Sequence, residues 1–157
     1  MKKLTFLLLL TLLASCASRD YSDIPLSTAA ITNIEASEIG KPFTRGHTLK
    51  ITFDYTIQGY SDIDDLYSCS INFITSEEGK SISTYYQHDH CTIDRQSGTA
   101  SLSRETPLSL SPLYDKNSLK QLQLPLRYTV SIEQTIKHNR SRIIGKSEVL
   151  FLNAELP

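Results

Sequence analysis

Leu49, Ile51, Phe53, Tyr55 and Ile57 alternate with Lys50, Thr52, Asp54 and Thr56. Successive side chains on a strand point to opposite faces, so this pattern predicts a strand with one buried and one solvated face. Gly46 and Gly59 mark its ends. Tyr67, Cys69, Ile71 and Phe73 repeat the alternation against Ser68, Ser70 and Asn72, which turns Cys69 inward. The longest such run is Leu124, Leu126, Tyr128, Val130, Ile132, Gln134 and Ile136. Shorter runs at Ser81–Tyr86, Cys91–Asp94 and Thr99–Ser103, a first strand over about Ala30–Ile39 and a last over Ile143–Asn153 complete the set. Between them, Pro107–Gln121 crosses the fold, with Asn117-Ser118 suited to capping one helical turn. About seven short strands joined by turns predict an all-β chain folded as a two-sheet β-sandwich. Phe53, Tyr55, Phe73, Tyr128, Val130 and Ile132 are its expected core.

The stretch Leu124-Pro125-Leu126-Arg127-Tyr128-Thr129-Val130-Ser131-Ile132 resembles the penultimate-strand region of fibronectin type III and immunoglobulin-like domains, where a tyrosine near the strand start closes a corner. The resemblance implies an immunoglobulin-like sandwich. Pro125 stands at a different spacing from Tyr128 than the fibronectin pattern, and Cys69 lies on about the third strand rather than on the second, where the immunoglobulin cysteine sits.

Ahead of this domain, Lys2 and Lys3 precede an apolar run from Leu4 to Leu13 and then Ala14-Ser15-Cys16. A charged n-region, a short apolar h-region and small residues before a cut describe a signal peptide, and the run is too short for a permanent membrane helix. Leu13-Ala14-Ser15-Cys16 also resembles the lipobox of bacterial lipoproteins. That resemblance implies cleavage before Cys16 and acylation of Cys16. Ala17 follows it rather than the aspartate that would suggest inner-membrane retention, which implies the outer membrane. Two or more acyl chains anchor a protein stably. The expected division is a signal peptide over 1–15, a lipidated tether over 16–27 and the β-sandwich over 28–157. Extended, that tether reaches about 35 Å.

With Cys16 assigned to lipid, Cys69 and Cys91 remain as a pair, expected to be a disulfide in an oxidising compartment. Closing such a loop stabilises a fold by about 3 kcal/mol in the chain-entropy model. The formal net charge of −1 becomes more acidic once Lys2 and Lys3 are removed, which argues against a nucleic-acid partner.

Gln87-His88-Asp89-His90-Cys91 offers two imidazoles on one strand face, with His47 or Asp94 to complete a copper or zinc site. The alternative for His88 and His90 is a solvated turn. Asp62-Ile63-Asp64-Asp65 is acidic but lacks the spaced ligands of an EF-hand, and reads as a solvated loop. There is no Gly-x-Ser-x-Gly elbow, His-Glu-x-x-His helix or phosphate loop, so no enzyme, catalytic residue or cofactor is expected. Lys137, His138, Arg140 and Arg142 form a basic hairpin tip, either a binding tip for anionic groups or a soluble turn.

The expected function is therefore a membrane-anchored, non-catalytic binding or assembly module with an envelope protein or glycan as partner. The alternative is a periplasmic metal-binding protein using His88 and His90. An immunoglobulin-like topology further brings the tether, the acidic loop and the basic tip to one end, with the acidic loop expected to lie against the tip.

Overall fold

A computed structural model describes residues 20–74, 81–82, 91–109, 125–137 and 140–152. These are all-β with no helix: β1 Thr28–Ile39, β2 Thr48–Gln58, β3 Tyr67–Ile74, β4 Ser81–Ile82, β5 Ser97–Glu105, β6 Leu126–Lys137, β7 Arg140–Lys146 and β8 Leu150–Leu152. Two sheets are formed, a three-stranded one in the order β1-β2-β5 and a five-stranded one in the order β4-β3-β6-β7, with β8 also on β6. Every described pairing is antiparallel.

The alternation in β2, β3 and β6 decides how the sheets meet. Their inward residues form one hydrophobic cluster drawn from both sheets, and Phe53, Tyr55, Phe73, Tyr128, Val130 and Ile132 are all buried in it, as expected from the sequence. Phe73 and Tyr128 sit opposite each other in the ladder with ring centroids 6.3 Å apart. Arg104, inward on β5 beside Leu49 in register, is also buried and donates to the Ile71 carbonyl at 2.6 Å, so it ties one sheet to the other through the core. Cys69 on β3 is bonded to Cys91, with Cα atoms 5.4 Å apart.

On the opposite face of β2, the Asp54 carboxylate accepts from Asn33 at 2.8 Å and Thr99 at 2.6 Å, stitching β1 and β5 across the strand between them. These hydrogen bonds, that from Thr99 above all, lower the Asp54 pKa. Asn33 lies in the register shift of β1 at φ 50°, a left-handed conformation that asparagine tolerates better than most residues.

The last two strands depart from the expectation of one strand over Ile143–Asn153. β7 starts earlier, at Arg140, so Arg140 and Arg142 pair with β6, Arg140 directly opposite Lys137 and Arg142 opposite Gln134. Pairing then breaks at Ser147, whose hydroxyl accepts from the Val130 amide at 2.9 Å while its own amide donates to the Val130 carbonyl. A side chain thus replaces a ladder carbonyl before β8 resumes on β6. Gly145 lies against β1, and a Cβ there would stand 2.5 Å from the Ala29 carbonyl oxygen, so only glycine permits this approach of the two sheets' edges.

Cys91–Asp94 is likewise not a strand. Thr92 makes one isolated bridge to Ser68, and the disulfide with the buried Ile93 side chain, rather than a ladder, holds the segment. The remainder of the run expected at Ser81–Tyr86, and the helical turn expected at Asn117-Ser118, lie outside the described residues.

Candidate functional site: the end where the chain joins the fold

Following the strands places loops at two ends. The proximal end carries residues 20–27, the β2–β3 connection over 59–66, residues 94–96 and the paired Lys137 and Arg140. The distal end carries residues 40–47 and 106–109.

Residues 20–27, expected within a tether, are part of the folded body. Asp20 forms a bridge with Lys137, reinforced by an ion pair at 3.1 Å, and the Tyr21 amide donates to the Ile136 carbonyl at 2.7 Å. Tyr21 and Ile24 pack on the core cluster. Further along, the buried amide of Gln134 imitates a neighbouring peptide group: its Oε1 accepts from the Ser27 amide at 2.9 Å and its Nε2 donates to the Pro25 carbonyl at 3.1 Å. Ser27 is itself buried, with a hydroxyl that donates to the Gly59 carbonyl at 2.9 Å. That leaves the Tyr67 hydroxyl to donate to Ser27 at 2.9 Å while accepting from the Ser61 amide at 3.1 Å. The chain Ser61 to Tyr67 to Ser27 to Gly59 satisfies every buried polar atom in it, the condition under which such a network rigidifies a fold.

The acidic loop joins the same assembly through its backbone. Tyr21 Oη donates to the Asp64 carbonyl at 3.4 Å, and the Thr135 amide donates to the Leu66 carbonyl at 2.8 Å. Residues 20–27, the acidic loop and the Lys137/Arg140 end of β6 and β7 therefore meet at one end, as the topology implied. The charge pairing differs from the expectation, because Lys137 meets Asp20 of the tether rather than the loop. Lys137 also stands directly opposite Arg140 in register, a like-charge pair that the Asp20 carboxylate offsets. Hydrogen bonds from Ser22, then the one from Lys137, hold the Asp20 pKa down at about 2.

A groove of about 260 Å³ beside the loop is lined by Tyr60, Asp62, Ile63, Asp64, Thr92 and Asp94 among others. Tyr60 stacks on Tyr67 at 5.4 Å, and burial, then nearby Asp62, raises its pKa. Asp94 is paired with Arg95 at 3.1 Å, which lowers the Asp94 pKa. Among the described residues no three of His, Cys, Asp and Glu converge as a metal set. Leu26 and Ile63, 44% and 37% exposed, are apolar side chains at this end.

At the distal end, His47 is fully buried and both its ring nitrogens are engaged, Nδ1 with Thr106 Oγ1 at 2.6 Å and Nε2 with Glu38 Oε2 at 2.9 Å. Thr106 Oγ1 also accepts from the Leu108 amide at 3.2 Å. His47 thus pins the β1–β2 connection and has no lone pair left for a metal, which removes it from the ligand set considered with His88 and His90. The Phe43 amide donates to the Leu108 carbonyl at 2.8 Å and the Gly46 amide to Ser109 Oγ at 3.0 Å, completing the attachment.

Cys16, His88, His90 and His138 lie outside the described residues. Sequence reasoning missed Asp20, Tyr21, Ser27, Tyr67 and Gln134 as a unit. One signal was present: a lone Gln134 in phase with the inward residues of β6, a polar group that must find partners if buried. Scans against protein-family models, curated proteins and solved structures find no match to this chain.

Proposed function

We propose that this protein is a lipid-anchored envelope protein, cleaved before Cys16, acylated there and held at the outer membrane, whose immunoglobulin-like sandwich is a non-catalytic binding or assembly module for another envelope protein or glycan. The observation that carries the reading is the allocation of the cysteines. Cys69 and Cys91 are bonded to each other in the core, which leaves Cys16 for lipid directly behind a leader-like segment. A core disulfide is the pattern of exported chains.

The strand order supports the finer fold assignment: β1-β2-β5 beside β3-β6-β7 corresponds to the A-B-E and C-F-G arrangement of immunoglobulin-like domains. The cysteine pair departs from that family, since it joins β3 to the segment before β5. The His47 and Tyr67 networks hold loops in place, which supports a scaffold role over catalysis. Near-balanced charge is in keeping with a partner other than nucleic acid.

Cys16→Ser tests the reading. The variant is expected to lose fatty-acid labelling and to remain as precursor or leave the membrane fraction. A variant processed and membrane-bound like the wild type contradicts it. Cross-linked pull-down from solubilised envelopes then identifies the partner.

A further inference from the structure

Resting on the lipoprotein reading, we infer that the proximal end of the domain is seated on the bilayer surface, so that the tether acts as a short leash setting the orientation of the whole sandwich. The length of chain between anchor and fold carries this. Cys16 and Asp20 are four residues apart, and Asp20 is already fixed to Lys137 and, through Tyr21, to Ile136. Four residues span at most about 14 Å when fully extended. An acylated cysteine sits where acyl chains meet headgroups, and the headgroup region on one side of a bilayer is itself about 5–8 Å thick. The end bearing Lys137, Leu26 and Ile63 is therefore held within contact range of the headgroups.

The distal end is out of reach. β2 alone, 11 residues from Thr48 to Gln58, separates the two ends by about 35 Å. A large partner consequently has the distal loops and the sheet faces available, and not the proximal groove.

Charge does not drive this seating. Lys137 is paired with Asp20, and around Arg140 and Arg142 the same end carries Asp23, Asp62, Asp64 and Asp65. An anionic surface gains little from such a mixture. The seating surface is instead apolar and polar, with Leu26 and Ile63 exposed among the carboxylates.

The test uses the acylated full chain in vesicles of phosphatidylethanolamine and phosphatidylglycerol carrying a headgroup nitroxide. A fluorophore is attached through Ile63→Cys or Leu26→Cys at the proximal end and through Arg45→Cys at the distal end, with acylation of Cys16 verified by mass. The expected result is severalfold stronger quenching of both proximal labels than of the distal one. Inserting a flexible segment of about twelve residues between Ser18 and Arg19 is expected to erase that contrast. The unacylated Cys16→Ser chain is expected not to bind the vesicles at low salt. Equal quenching at both ends of an acylated chain overturns the orientation while leaving the lipoprotein reading intact, and a contrast that survives the insertion overturns the leash as its cause. A chain whose mass shows no acyl group on Cys16 overturns both.

Discussion

The two ends of the molecule are fastened by different means. At the distal end a single buried imidazole, His47, reaches Glu38 and Thr106 and pins a connection between neighbouring strands. At the proximal end a buried amide, Gln134, holds Ser27 and Pro25 at sequence separations of 107 and 109, and the Tyr67 hydroxyl reaches Ser27 across 40 residues. The distal attachment fixes an internal connection to residues 59 and 63 positions further on, whereas the proximal one recruits the start of the described chain into the body and thereby shortens whatever precedes it. Polar side chains that mimic backbone partners extend a sheet-like fold beyond its ladders, provided that each atom is satisfied.

Substitutions rank the parts of this comparison. Both ends depend on the shared core, so Phe73→Ala, which empties a fully buried ring position, is expected to cost about 3–5 kcal/mol in chemical denaturation. An unchanged midpoint would mean that the inward phase of β3 is inverted. At the ends themselves, His47→Leu and Gln134→Leu should each cost about 1–3 kcal/mol by stranding buried partners. The two are distinguishable: Gln134→Leu should also open the segment before β1 to proteolysis, whereas His47→Leu should leave it protected. Proteolysis that does not differ between them would break the comparison. Gly145→Ala, driving a methyl group into the Ala29 backbone, is expected to cost about 1–3 kcal/mol.

The smallest effect concerns pH. Asp20 has its pKa lowered in the folded state to about 2, so its contribution is present above the unfolded value and is lost as pH falls through the folded one. Stability contributed by Asp20 should be flat from about pH 5 to 8 and decline between about pH 4 and 2, a decline reduced in Asp20→Asn. A loss centred near neutral pH in the wild type and absent in Asp20→Asn would contradict the pairing described here.

The inward phase of β2, β3 and β6 could be read from the sequence, because alternation is imposed by the pleat itself, although on β6 Thr129 and Ser131 of the opposite face are buried as well. Cys91–Asp94 shows the limit of the same signal. Cys91 and Ile93 are buried while Thr92 and Asp94 are exposed, a strand-like alternation enforced by a disulfide and one side chain without a ladder. The break at Ser147 was not readable, and the docking of residues 20–27 left only the inward Gln134 as a sign, since both depend on side chains substituting for peptide groups at long range. At the proximal end, the convergence of three loops followed from topology. The choice of Asp20 over the acidic loop as the partner of Lys137 depends on geometry that residue type alone does not set.

Seating at the bilayer and the difference between the two ends both require that the segment before β1 belongs to the folded body. Residue-resolved amide hydrogen exchange on the full chain tests it most directly. Tyr21 and Ser27 donate their amides to Ile136 and to the Gln134 side chain, and both are expected to exchange far more slowly than an unstructured peptide, with Ser27 losing that protection in Gln134→Leu. Exchange of both amides at the unstructured rate in the wild type would contradict the account and return this segment to a free tether.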